Sequence, residues 1–196
     1  MILEVIKVPL KAERRRKAQR AASPDRAKGV ILEILRQAGG SLGKTKLFKA
    51  FWIAHLYYSK MAPGYLTDWP IVRMPKGPGI EDGERLLVEL IRSGDINRKY
   101  EPRGPFTEIN CQLTKQVGAT ELSATAIKAI KSAVTDVTRH SAESISEWSH
   151  EFSRSWNNTE NGKELDIYTD LIPDDVYEER RQELLRLKKA FDKPAR

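Results

Sequence analysis

Apolar positions along this chain recur mostly at helical spacing. Ala27, Ile31, Ile34, Leu35 and Ala38 form a stripe at about 100° per residue, which predicts a helix after Ser23-Pro24-Asp25. That tripeptide is a start signal: a hydroxyl to cap, a proline with its φ preset, and an acid near the free amides. Gly39-Gly40 ends the helix. Residues 44–58, K-T-K-L-F-K-A-F-W-I-A-H-L-Y-Y, predict a second helix. Its later half, Phe51 to Tyr58, is apolar nearly all round, the mark of a helix buried at the centre of a core. Leu87, Leu90 and Ile91 define a third helix over 84–92, stopped at Gly94. Ser123 is placed to cap a fourth, which carries Ile127, Ile130, Val134 and Val137.

Residues 141–156 predict a fifth helix, with Ser141 as its cap. Ile145, Trp148, Phe152 and Trp156 share one face, so both tryptophans are expected mostly in the core. His150 falls off that stripe, near Ser146, Glu147 and Arg154. A sixth helix over 174–191 carries Val176, Leu184, Leu187 and Phe191 on one stripe. Asp174 and Asp175 at its start and Lys188 and Lys189 near its end suit the helix dipole.

Between the helices, residues 63–83 are rich in proline and glycine. Pro70 and Pro75 leave room for a short extended piece at 71–74, and Gly77-Pro78-Gly79 reads as a turn. Period-two alternation of Ile109, Cys111 and Leu113 with Asn110 and Gln112, across Arg103-Gly104-Pro105 from 96–100, predicts a hairpin. Asn161-Gly162 predicts a turn, followed by an extended run to Pro173. The fold class that results is α+β and predominantly helical: a single domain with a central buried helix and one small β-hairpin.

Charge changes this picture at one end. The 196-residue chain carries a net charge of +7, and residues 11–20, K-A-E-R-R-R-K-A-Q-R, hold +5 of it. The body is nearly neutral, and the basic character belongs to an N-terminal arm over 1–22. Arg14, Arg15, Arg16 and Lys17 are therefore candidates for contact with nucleic acid or an acidic protein. A solvated run is the plain alternative. The longest apolar run, 51–58, is shorter than the ~20 residues a bilayer requires. The first residues lack the order of a secretory signal. One cysteine, Cys111, makes neither an internal disulfide nor a metal site. These readings point to the cytoplasm, with no membrane partner.

Little catalytic chemistry emerges. Ala38-Gly39-Gly40-Ser41-Leu42-Gly43-Lys44-Thr45 approaches a phosphate-binding loop, but the motif requires a preceding strand and a helix is expected there. It reads as a turn between helices. His55, His140 and His150 lack ligand spacing, so no metal and no cofactor are expected. His55 sits among apolar neighbours, as a hydrogen-bonded core histidine does. Lys44, Lys46 and Lys49 oppose the dipole at a helix start, which marks them for an outside partner or a solvated face.

Three segments occur in order: Lys46-Leu47-Phe48-Lys49 opening the apolar helix, Gly77-Pro78 before a helix, and Ile145-Ser146-Glu147-Trp148-Ser149-His150-Glu151 with Trp156. Together they resemble the Panacea antitoxin domain family, which includes SocA-like and phage-associated GepA-like proteins. The resemblance spans roughly residues 29–173 and places that domain at 23–173, between the arm and a C-terminal helical extension at 174–196. It implies an antitoxin that binds and silences a cognate toxin encoded beside it, without enzymatic activity. One branch of the family instead delivers its toxin to a protease. The matching positions, and so the candidate partner-binding residues, are Lys44, Lys46, Leu47, Lys49, Gly77, Pro78, Trp148, His150 and Trp156. The sequence departs from the family at Ala50, where a further leucine is common, and in its arm, which has no counterpart. A nucleic-acid-binding protein acting through the arm is the alternative, and the two roles are compatible.

Overall fold

The apolar helix occupies the centre. In the computed structural model, which describes residues 24–114 and 121–191, it runs Lys44–Met61 (α2) and buries Phe51, Trp52, Ile53 and Ala54 at 2% exposure or less. Helix α1, Pro24–Gln37, packs its Ala27, Val30, Ile31, Ile34 and Leu35 into the same core. Its end is a Schellman motif: Gly40 N–H reaches Leu35 O at 2.8 Å and Gly39 N–H reaches Arg36 O at 3.2 Å, with both glycines at positive φ. The capping role of Ser23 and the basic arm, including Arg14, Arg15, Arg16 and Lys17, lie outside the described residues.

Strand β1, Ser41–Gly43, follows at once and leads into α2. After α2 come β2 (Ile71–Met74), β3 (Gly77–Ile80), α3 (Gly83–Arg92), β4 (Ile96–Arg103) and β5 (Phe106–Leu113). The expected hairpin is β4–β5, antiparallel with Ile96 opposite Leu113, and β1 extends it to a three-stranded sheet of order β1-β5-β4. Helix α4, Ala124–Arg139, covers α2 with Ala126, Ala129, Ile130, Ala133, Val134 and Val137. Its alanines let the two helices approach closely. Ser123 caps it by accepting from Ala126 N–H at 3.2 Å. The architecture is α+β and mostly helical.

Four expectations are corrected. First, Gly77-Pro78-Gly79 is a strand; the reversal falls at Pro75-Lys76, and β2–β3 is a second hairpin beyond the one expected. Proline is tolerated there because Pro78 faces Arg73, whose own N–H bonds to Lys163 O at 2.9 Å. Second, the helix over 141–156 breaks. Helix α5 is Ala142–Phe152, α6 is Arg154–Asn157, and Ser153 between them is extended. Third, the stripe chosen for the fifth helix is rotated from the buried face: Ile145 and Ser149 are buried, whereas Trp148 is 37% and Phe152 61% exposed. Fourth, the segment before Pro173 is not extended but forms a 3-10 helix, Ile167–Leu171. The chain then enters α7, Asp174–Phe191.

The break has a visible cause. Asp170 accepts from Ser155 N–H at 2.8 Å, Ser155 Oγ at 2.7 Å and Ser153 Oγ at 3.1 Å. Ser153 Oγ in turn accepts from Trp156 N–H at 3.1 Å and starts the next turn as its cap. Burial pushes the Asp170 carboxyl upward, and these hydrogen bonds oppose it. Among the described residues, no helix is long and apolar enough to cross a membrane.

Candidate partner-binding site

A buried lysine sets the centre of the site. Lys49 lies on the second turn of α2 at 2% exposure, and its Nζ donates to Lys76 O at 2.5 Å and Pro78 O at 3.2 Å. Burial pulls its pKa down to about 7, so near neutrality the amine is partly uncharged. Both acceptors come from the β2–β3 hairpin. Gly77, between them, holds φ at +95°, which lets the carbonyls on either side aim at one amine. A side chain at Gly77 has no room: a Cβ would stand 2.2 Å from Ser149 Oγ and 2.3 Å from Lys49 Nζ.

Helix α5 closes the cluster from the other side. Ser149 is fully buried, with its hydroxyl donating to Ser146 O at 2.7 Å. His150 lies face to face with Trp156, ring centroids 4.2 Å apart and planes within 12°. The Arg73 guanidinium sits 4.4 Å from the same indole, whose Nε1 donates to Met74 O at 2.9 Å. The helix break thus serves the site, because the restart at Ser153 turns Trp156 back onto α5 and the hairpin. Desolvation, then the charges of Lys49 and Arg73, hold the His150 imidazole below its usual pKa. The Lys76 carbonyl tempers that shift without meeting hydrogen-bond geometry, and His150 Nε2 stays sealed and without a hydrogen-bond partner among the described residues.

A groove opens beside this cluster. Lys44, Phe48, Lys49, Met74, Gly77 and Pro78 line about 550 Å³ of mostly apolar space. Lys44 is occupied within the fold: it pairs with Glu84 at 2.6 Å, and Arg98 reaches the same carboxylate at 2.7 Å. That triad ties the start of α2 to α3 and β4. The Gly-rich segment before Lys44, expected as a turn between helices, is a helix terminus followed by the short strand β1; what precedes it is α1 and not the strand that a phosphate-binding loop requires. A smaller cavity of about 40 Å³ lies behind His55, with room for little more than a water.

Of the residues singled out in the sequence, Lys49, Gly77, Pro78, His150 and Trp156 meet in one cluster, and Lys44 borders it. Lys46 is half-buried one turn earlier on α2, and Leu47 is core at 0% exposure. Trp148 turns the other way, packing on Trp52 with centroids 5.8 Å apart. His55 is the core histidine expected: Nε2 accepts from Thr67 N–H at 3.2 Å, which puts its proton on Nδ1, 2.8 Å from Phe51 O. Desolvation, its largest influence, lowers its pKa to about 4. Ser149, Arg73 and Asp170 were not anticipated. A serine at the centre of a segment, 141–156, that carries five others gave a weak hint for Ser149; nothing local pointed to Asp170.

Trp156→Ala is expected to cost about 3 kcal/mol, through lost burial and an unpaired Met74 carbonyl. Trp156→Phe, which keeps a ring against His150, should cost about 1 kcal/mol. Urea unfolding measures both, and equal losses would mean that the ring contributes nothing beyond its hydrogen bond.

Set against protein-family models, curated proteins and solved structures, the chain matches nothing. The geometry of the cluster and the ordered motifs therefore carry the functional reading.

Proposed function

We propose that this chain is an antitoxin that neutralises a cognate toxin by direct binding. One observation carries the reading: three segments far apart in sequence, those that resemble the Panacea domain, meet around Gly77 as a single built cluster. Lys49, Gly77, Pro78, His150 and Trp156 hold each other's geometry, and the groove next to them offers a rigid apolar recess for a partner's side chain. Rigid recesses of this kind seat the few anchors that dominate a protein interface. The proposed inhibition occludes or distorts the toxin through a stable contact, commonly about 1,200–2,000 Å² in total.

The test is coexpression with the adjacent open reading frame. Growth arrest by that neighbour alone, relieved when this chain is present, is the expected result. Lys76→Glu, on the exposed rim of the groove, should weaken the complex about tenfold while leaving thermal stability unchanged. A neighbour that is harmless alone, or that stays toxic beside this chain, overturns the reading. Toxin that disappears, instead of accumulating in a complex, would assign the adaptor role. The charge of residues 11–20 favours a second reading, nucleic-acid binding by the arm. It requires steeply salt-dependent affinity that is lost when residues 1–22 are deleted.

A further inference from the structure

Two exposed apolar faces stand on this molecule, one flanked by glutamates and the other by a pair of arginines. On α5, Trp148 and Phe152 pack ring to ring with centroids 5.2 Å apart, yet both remain exposed. Glu143, Glu147 and Glu151 are all exposed and continue that face around the helix, at four-residue intervals of about 6 Å. On α7, every residue from 178 to 186 is exposed, with Leu184 at 67% and Leu185 at 44%. Arg180 precedes Leu184 by one turn, and Arg181 precedes Leu185 in the same way. One face is aromatic and acidic; the other is aliphatic, with Arg180 and Arg181 beside its leucines and Glu178 at its edge.

Helix α7 is tied to the body only near its start among the contacts described. Asn158 Nδ2 donates to Tyr177 OH at 2.9 Å, the Arg154 guanidinium lies 4.7 Å from the Tyr177 ring, and Arg154 pairs with Asp174. From 178 to 186 the helix has solvent on all sides. Most of the stability of a helix in a protein comes from a packed face, so the leucines of α7 call for a cover. Its exposure shows that it does not lie on α5 of its own chain.

We propose that two copies of this chain associate by exchanging α7, each laying Leu184 and Leu185 on the other's Trp148 and Phe152. Arg180 and Arg181 then face Glu147 and Glu151 across the contact. The weak exposed pair between Arg181 and Glu178, 3.3 Å apart, is easily given up. The exchange is reciprocal and closed by a twofold axis, so the same contact forms twice. Two contacts count together toward the roughly 1,200–2,000 Å² of a stable association. His150 is two residues from Trp148, about 200° around the helix, so the cluster at Gly77 is left open. The inference thus stands apart from the antitoxin reading.

Sedimentation velocity on the full chain decides it. The wild type is expected at twice the 22.3 kDa chain mass. Glu147→Arg with Glu151→Arg, and separately Arg180→Glu with Arg181→Glu, should each weaken dimerisation roughly a hundredfold by opposing like charges. Mixing these two variants should restore the dimer, because both contacts in the mixed pair regain opposite charges. Deleting residues 178–196 should leave a monomer, and circular dichroism verifies that each protein is folded. A monomeric wild type, dimers that survive either reversal, or a mixture that stays monomeric overturns the exchange.

Discussion

Gly77→Ala is expected to destabilise the protein by about 4 kcal/mol, the largest loss from adding a single methyl group. Two costs combine. At φ +95° an alanine is strained by about 1–3 kcal/mol. Its Cβ also needs the space of Ser149 Oγ and Lys49 Nζ, at 2.2 and 2.3 Å. A lysine end on the surface would swing aside cheaply. This one is sealed at 2% exposure and held by two carbonyls, so moving it leaves Lys76 O and Pro78 O without their donor. Overpacking of that kind costs about 1–3 kcal/mol. The parts are separable by a mutant cycle in urea. With Ser149→Ala and Lys49→Met already in place, Gly77→Ala should cost only the backbone strain, about 1–3 kcal/mol. An unchanged cost in that background would show that the packing argument is wrong.

The sequence made some of this site legible and hid the rest for definite reasons. Helix α2 was readable because its apolar residues cover its whole circumference, and the β4–β5 hairpin because Ile109, Cys111 and Leu113 alternate with polar positions. The break at Ser153 was not. A hydrophobic period ran through it, and the group that enforces the break, Asp170, lies seventeen residues further on. Tertiary hydrogen bonds overrode a local pattern. The same pattern misplaced Trp148 and Phe152, because an unpartnered aromatic and a core aromatic look alike in sequence. Gly77 was recognised as conformationally special, but its purpose was not. Only the fold shows that Lys49, Ser149 and the hairpin crowd the place where its side chain would be.

Stability should rise with pH above neutrality, and Lys49 is the reason. In the folded protein its pKa is about 7, against an ordinary 10.5. Between those values the unfolded chain holds a proton that the folded one has released. Unfolding therefore takes up a proton, and raising the pH favours the native state throughout this window. Below pH 7 both states are protonated, so the penalty for burying the charge is present in full; above 10.5 it is gone. A tenfold change in proton affinity is worth about 1.4 kcal/mol, which makes the whole effect about 5 kcal/mol. Tyr57 works against it only at the upper end. Burial and Asp136 raise that phenol to about 12, so its contribution declines from pH 10 upward. The measurement is urea unfolding from pH 6 to 9.5, comparing the wild type with Lys49→Met. The methionine removes the charge but leaves two carbonyls without a donor, at about 1–3 kcal/mol. It should therefore be the more stable form at pH 6 and the less stable at pH 9.5. Parallel curves would show that Lys49 stays charged in the fold.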